Sequence, residues 1–490
     1  MTLKRYTASQ DNTITNAYKS NLVETGVSGN MGASDILEVF SLAKQATTSS
    51  IEKTRILIQF PITDIIQDRS NSQIPASGSV SFYLRLFNAK HSDFQSKDFK
   101  LVVAPVSQSW SEGIGLDMEE YNDEYASNWL SASTGVTWTT QGGDYLASPR
   151  YEQTFTTGIE DMEIDISGLV EQWIAGTKSN YGVGIFLTSS QESSTTTSYY
   201  TKKFFARGTE FFFKKPIIEA RFNDTTRDNR GNFYYSSSLA TAAENMNTVY
   251  LYNYYNGKLR NIPAVGTGNI YVSLFSGSTV PTGSALTLVA DGLRVTAGSP
   301  TVVTGGWVST GVYTASFAIT AASTPLDTLF DVWHNGNLTT QYATSSISPQ
   351  ILRATNSQVV DRYNTKITNL KQSYFTDETP FLRFYARPRD WNFNIYTVAQ
   401  ETPQTSIIPS ASYSVYRIAD DLRVIPHGTG STLHTLLSYD VSGNYFKFDM
   451  GMLEPDYAYA FEIAIYNDAT SHWDVQPETF KFRVEKRQTE

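Results

Sequence analysis

The chain has 490 residues, 48 acidic against 38 basic side chains, a net charge of −10 and no cysteine. This excludes disulfides, thiolate catalysis and Cys-ligated metals, and it argues against a nucleic-acid or anionic-membrane partner, which a basic patch would have to hold. At roughly 150 residues per domain, about three domains are expected, and 30 Tyr and 27 Phe among abundant Ser and Thr lean the composition towards all-β.

The first segment reads as 1–223. Its opening, Met1-Thr2-Leu3-Lys4-Arg5-Tyr6-Thr7, lacks the apolar core of a secretory signal, and no run reaches bilayer-spanning length. Folding in the cytoplasm of the producing cell is therefore expected. Strands are predicted at 36–40, 55–60, 79–86 and 100–106. The alternation of apolar and polar residues from Ser81 to Arg85 suits a sheet with one wet face.

An acidic stretch follows: Asp117, Glu119, Glu120, Asp123 and Glu124. Three readings stand. It is a solvated loop, a calcium site built from clustered oxygen ligands although it lacks the DxDxDG spacing, or a glycosidase carboxylate pair. Beside it, Trp129 in Ser127-Asn128-Trp129-Leu130 is the candidate for an exposed ring that stacks on a sugar or anchors an interface.

Residues 163–176 read as a strand, one short helix and a Gly-marked turn, with a second strand at 183–187. Leu169, Val170, Trp173 and Ile174 fall on one helical face, Asp165 or Ser167 can cap the start, and Gly176 is placed to stop the helix. The Ser/Thr run 189–198 is too polar to pack and reads as an exposed hairpin tip or docking loop. Phe204, Phe205, Phe211, Phe212 and Phe213 lie among Lys202, Lys203, Lys214 and Lys215. Consecutive aromatics point to both sheet faces, so some should be covered by a neighbouring domain or subunit, which marks an assembly interface. Residues 216–222 read as the closing strand.

Residues 223–232 form a polar, linker-type break. A second domain, 224–355, opens with a Tyr-rich strand at 248–255 before the tight-turn pair Asn256-Gly257. Further strands are predicted at 270–275 and 311–319. A third domain, 356–490, has clear strands at 381–386, 413–418 and 445–448. Tyr313 and Tyr457 each open a late strand, as the tyrosine corner of an immunoglobulin-like sandwich would. The five histidines (His91, His334, His427, His434 and His472) form no HExxH or HxH spacing, and His427 and His434 flank a loop that suits a surface turn. There is no Walker loop and no Gly-x-Ser-x-Gly elbow, so a non-enzymatic protein without a cofactor is expected.

The first segment resembles the DNRLRE-type jelly-roll domain, a family of secreted and surface proteins that includes alginate-binding modules. The ordered pieces are residues 30–39 and 55–60, Trp110-Ser111-Glu112, Val136-Thr137-Trp138, the 165–176 helix and Ala206-Arg207-Gly208-Thr209-Glu210 before Pro216. They cover about 200 residues. Trp110 and Trp138 occupy positions that the family pattern fixes, which implies core packing for both, and Trp173 lies on the apolar helix face. The whole chain also resembles virion structural proteins of T4-like marine phages, cyanophages among them, through Leu3-Lys4-Arg5-Tyr6, the 11–17 run and the pairing of a jelly roll with Ig-like domains.

The expectation is an all-β chain: an N-terminal jelly-roll sandwich with one short helix, then two immunoglobulin-like sandwiches. The resemblance implies a virion protein that docks to copies of itself and to other virion proteins. The alternative is a carbohydrate-binding adhesin module for cell-surface glycan.

Overall fold

The computed structural model describes residues 2–91, 96–296, 298–354, 362–391 and 405–487. Strands dominate throughout, and the chain is all-β. Two compact units are distinguished. One comprises Met1–Asp224, Thr429–Thr435 and Gly451–Pro455; the other comprises Thr225–Gly428, Leu436–Met450 and Asp456–Glu490.

The first unit is a sandwich of two antiparallel sheets. The smaller sheet runs Leu3–Thr7, Ile217–Phe222, Val80–Leu86, Met162–Asp165. The larger runs Tyr199–Phe205, Ile36–Ala43, Ile51–Gln59, Val183–Leu187, Phe99–Pro105, Tyr151–Phe155, with Gln10–Thr15 also paired to Ile51–Gln59. Val80–Leu86 shows why these residues pleat. Val80, Phe82, Leu84 and Leu86 are buried, while Ser81, Tyr83 and Arg85 face the other way. Phe82 and Leu84 of the small sheet meet Ile56, Ile58, Leu101, Val103 and Ile185 of the large one in a single core. Each such side chain contributes about 1.5–3 kcal/mol by leaving water. Pairing of Leu3 opposite Arg221 ties the two ends of the segment together.

The expected helix is Ser167–Ile174, with Leu169, Val170 and Trp173 buried and Gly176, at φ +70°, just beyond its end. Its start corrects the capping expectation. Ile166 is the N-cap, the Asp165 carboxylate accepts from the Ser167 amide at 2.9 Å, and the Ser167 hydroxyl accepts from the Phe82 amide at 2.8 Å. A second helix, Ile62–Ser70, was not anticipated because it buries only Ile65 and so shows little apolar periodicity. Arg69 holds it to the first through a two-pronged pair with Glu171 at 2.6 and 2.7 Å.

The second unit holds two further assemblies, antiparallel but for one short strand. In one the strand order is Asn247–Tyr252, Val312–Phe317, Val303–Ser309, Ile270–Ser276, Leu329–His334, Gln341–Ile347. Val303–Ser309 changes partner along its length: Val303 to Gly305 pair with Ile270–Ser276, and Gly306 onward pairs with Val312–Phe317. A strand that switches sheets needs a corner. Gly305 supplies it, because a Cβ there would stand 2.4 Å from the Thr314 carbonyl oxygen. The last assembly has sheets of four (Tyr363–Ile367, Phe381–Pro388, Gly443–Lys447, Ser438–Asp440) and five (Ser373–Phe375, His472–Glu485, Ala458–Asn467, Ala411–Arg417, Leu422–Ile425) strands. That four-plus-five order, with the short strand Ser373–Phe375 parallel to the final strand, is an immunoglobulin-like sandwich.

The stretch read as a linker is largely structured. Asp228 is buried, Asn229–Gly231 forms a single 3-10 turn, and the Arg230 guanidinium reaches the buried Asp331 carboxylate at 2.6 Å. Of the two corner tyrosines, Tyr313 is fully buried, donating to the Gly266 carbonyl at 2.8 Å and accepting from the Ile262 amide at 2.9 Å. Tyr457 is exposed, with the Arg417 guanidinium over its ring, so it is no corner; Tyr459 is the buried tyrosine of that strand.

Candidate functional site

On the large sheet of the first unit, the face turned away from the main core carries Arg55, Leu57, Val102, Ala104, Gly184 and Phe186. Four of its members, Leu57, Val102, Ala104 and Phe186, are apolar, so this face needs cover and is not left to water. It is covered by the 106–150 excursion, which builds a second core from Ile14, Leu57, Val106, Trp110, Trp129, Ala132 and Trp138. This corrects the reading of Trp129. It is 5% exposed, and the Arg55 guanidinium lies 5.3 Å from its ring centroid, so its face is closed to a sugar. Trp110 and Trp138 pack as expected, their ring N–H groups donating to the Tyr181 carbonyl at 2.9 Å and the Asn128 carbonyl at 2.8 Å.

Where this cover ends, an open groove of about 440 Å³ remains, with Arg55, Tyr145, Arg150, Phe186 and Glu192 among its lining. Its floor is pre-set. Tyr145 packs on Phe186 at 4.7 Å and over Gly184, where any Cβ would stand 2.0 Å from the tyrosine ring. The Tyr145 hydroxyl donates to the Gly142 carbonyl at 2.9 Å, and burial raises its pKa well above the ordinary tyrosine value. Arg55 donates to both oxygens of Glu192 at 2.9 and 2.6 Å and to the Gly142 carbonyl at 2.9 Å. Glu192 lies in the Ser/Thr run expected to be a free tip. It is buried because Ser189–Glu192 forms one helical turn with a Thr188–Gln191 capping box. Arg150 stands at the rim 5.9 Å from the Phe186 ring centroid, exposed, with no ion-pair partner among the described residues. Phe186 is buried beneath Tyr145, so the groove offers mainly polar groups: hydroxyls of Ser107, Thr139 and Thr140, the carboxylates of Asp144 and Glu192, and the exposed Arg150 guanidinium, which can take hydrogen-bonding, sugar-like groups and pair with an acidic one.

The acidic loop is engaged otherwise than calcium requires. Asp117 accepts from the amides of Glu119, Glu120 and Tyr121 at 2.8, 2.9 and 3.1 Å. Asp123 accepts from Ile114 and Tyr125 at 3.1 Å each, and Glu119 accepts from Ser20 at 2.5 Å. Glu120 and Glu124 are exposed. Among the described residues no three His, Asp or Glu side chains gather to hold a metal. The carboxylates organise backbone instead, and hydrogen bonds from three amides hold the Asp117 pKa below its usual value.

The phenylalanines divide. Phe204 is wholly buried in the main core, Phe205 and Phe213 are half-buried, and Phe211 (52%) and Phe212 (40%) are exposed. Lys202 is buried too, its ammonium donating to Asn88 Oδ1 at 2.7 Å and to the Gly158 and Glu160 carbonyls at 3.0 and 2.6 Å. The assembly-interface reading therefore narrows to Phe211 and Phe212. More exposed apolar side chains stand on two hydrogen-bonded loops of the same unit: Leu22 and Val23 on one, Ile114, Leu116, Tyr121 and Tyr125 on the other.

Two charge clusters were not legible in the sequence because their members come from distant parts of the chain. On the small sheet, Glu219 accepts from Arg5 at 2.8 Å, Arg85 at 3.2 Å and Arg221 at 2.7 Å. Burial pushes this carboxyl upward, but the three guanidinium charges outweigh it and hold the pKa far below the usual range. The second cluster joins Arg207, bidentate to Glu112, with Asp11, whose carboxylate accepts from the Arg207 amide at 2.5 Å. Burial raises Asp11 to about 7, and the Glu112 charge adds to the rise.

In the second unit a Ser–His–Glu arrangement appears, with Ser412 Oγ 3.2 Å from His427 Nδ1 and His427 Nε2 3.4 Å from Glu462. Ser412 is fully buried and Glu462 pairs with Arg423 at 2.7 Å, so this serine offers no accessible nucleophile. His434, read as part of a surface turn, is buried in the first unit, where its carbonyl accepts from the Thr2 hydroxyl.

No family model and no curated protein matches the sequence. Among solved structures, the N-terminal Ig1-2 module of the Drosophila receptor protein tyrosine phosphatase DLAR is 8% identical, with TM-score 0.14, covering 49% of this chain and 91% of its own. The tandem Ig repeats of Dlar are 10% identical, with TM-score 0.14, covering 46% and 92%. Similarity at that level carries no argument about what this chain does.

Proposed function

We propose that this chain is a non-enzymatic structural component of a tailed-phage virion that works by docking to copies of itself and to neighbouring virion proteins. The observation that carries this reading is the set of exposed apolar side chains on braced loops of the first unit. Leu22, Val23, Ile114, Leu116, Tyr121 and Tyr125 are exposed, yet Asp117 and Asp123 fix the loop that bears four of them. Large apolar groups held out on a pre-organised loop cost solubility unless a partner covers them. Phe211 and Phe212 extend the same character. Several modest contacts of this kind gain strength when they are linked and repeated around a symmetry axis.

The test is cryo-electron microscopy of particles purified from the producing host. Density for the chain at a symmetry-repeated position is the expected result, with Leu116→Asp/Tyr121→Asp particles losing it. Well-resolved particles that lack the chain everywhere would overturn the reading.

The groove at Arg150 favours a second reading, a carbohydrate-binding adhesin module. Arg150→Ala should then weaken retention of the protein on an acidic polysaccharide column while leaving its melting temperature unchanged. Unchanged retention would remove the groove from consideration.

A further inference from the structure

In the second unit the Asn256-Gly257 turn closes a small hairpin, Tyr254–Tyr255 with Lys258–Leu259. Both turn residues have positive φ, +49° and +74°, which sets the tight two-residue geometry. Pairing decides which side chains share a face. Tyr255 stands opposite Lys258 and Tyr254 opposite Leu259. Arg260, two residues after Lys258, returns to the Tyr255 side, and its guanidinium lies 5.4 Å from that ring centroid. Tyr255 is 59% exposed, and Lys258 and Arg260 are exposed as well. Among the described residues neither cation has an ion-pair partner.

Next in sequence, Asn261 fixes a third aromatic. Its side-chain oxygen accepts from the Trp307 ring N–H at 3.1 Å and from the Gly311 amide at 2.7 Å. Trp307 is thereby pinned by its edge while remaining 37% exposed. An exposed ring normally loses rotamer freedom on binding; a ring already held by its polar edge loses less. The Asn253 amide and carbonyl bond to Gly311 and Arg260, at 2.8 and 3.0 Å, so the hairpin is anchored to the neighbouring turn.

We infer that this hairpin is a binding site for an acidic polysaccharide, with the exposed Tyr255 ring stacking on a sugar and Arg260 and Lys258 beside it pairing with carboxylates. Aromatic faces accept the C–H face of a pyranose, and a guanidinium matches a carboxylate in two-pronged fashion. Charge complementarity selects the acidic class: two unpaired cations stand together on a chain of net charge −10, which otherwise repels polyanions. Two cations are too few for the many phosphate contacts on which nucleic-acid binding depends. The inference shares the ligand class of the second reading above but none of its residues.

The test is affinity electrophoresis of the full chain in gels containing polygalacturonate, with dextran and oligothymidylate gels alongside. Retardation by polygalacturonate is expected. Tyr255→Ala and the Lys258→Ala/Arg260→Ala pair should each weaken it by about tenfold or more, the scale of losing one stacked ring or a paired charge. Arg260→Lys should keep part of the effect, and Arg150→Ala none of the loss, which separates this site from the groove. Thermal melts matching the wild type exclude unfolding as the cause. Absence of retardation, retardation kept by the hairpin variants, or equal retardation by dextran or oligothymidylate would each overturn the inference.

Discussion

Replacing Glu219 by Gln isolates the balance of charge on the small sheet. In the native protein three guanidinium groups, from Arg5, Arg85 and Arg221, converge on a carboxylate whose side chain is 3% exposed. Glu163, 41% exposed, pairs with Arg85 at 3.2 Å and Arg221 at 2.7 Å but reaches only part of the cluster. Glu219→Gln keeps the shape and removes the buried negative charge, leaving cations insufficiently paired. Breaking a buried pair in this way costs about 3–5 kcal/mol, against about 0–1 kcal/mol for a surface pair. Hydrogen exchange of the strand Ile217–Phe222 reads the local opening free energy without requiring the whole chain to unfold in one step. At about 1.4 kcal/mol per decade, its amides should exchange roughly two to three and a half orders of magnitude faster at pH 7. The sign with pH follows from the depressed carboxyl. Its contribution is fully present above the unfolded carboxyl's range and is lost as pH falls towards the lower folded value. The variant should therefore lose this acid-sensitive component. Acceleration of fivefold or less would refute the reasoning and make the cluster a screened surface network.

Other outcomes are equally concrete. Trp129→Ala should destabilise the first unit by about 3–5 kcal/mol in chemical denaturation, as loss of a core ring does, whereas an exposed platform would tolerate it within about 0.5 kcal/mol. Asp11, raised to about 7, holds its proton in the folded state over a range where the unfolded carboxyl has lost it. Its contribution is thus favourable at low pH and declines as pH rises from about 4 to about 7, by at most about 1.4 kcal/mol per unit. Asp11→Asn should flatten that slope in melts taken from pH 5 to 8. Tyr313→Phe leaves the Ile262 amide and Gly266 carbonyl short of a buried partner and should cost about 1–3 kcal/mol, measured by exchange of the Ile262 amide.

The sequence alone specifies the clearest strands, because alternation is a local property, but not those such as Gln10–Thr15, Leu329–His334 or His472–Glu485, which it leaves unread. Val80–Leu86 declares its two faces in seven residues, and the Asn256-Gly257 pair declares its turn. The helix at 167–174 is legible for the same reason, while Ile62–Ser70, with one buried residue, carries too weak a period to be read. What covers the second face of a sheet is a different kind of fact. Periodicity marks a face but says nothing of what lies on it, so Trp129, beside an acidic loop, reads as exposed until the 106–150 excursion that carries it folds onto Ile14 and Leu57 of the sheet. Arg55 and Glu192 are 137 residues apart, and Arg5, Arg85 and Glu219 are separated more widely than any motif spans. Their meeting depends on strand order, which long-range packing sets. Tyr313 and Tyr457 look alike in sequence, yet one hydroxyl is buried against backbone and the other ring lies under Arg417 at the surface. Local pattern determined which residues pleat and turn; burial, pairing and exposure, on which every candidate site depends, were decided by contacts between segments distant in the chain.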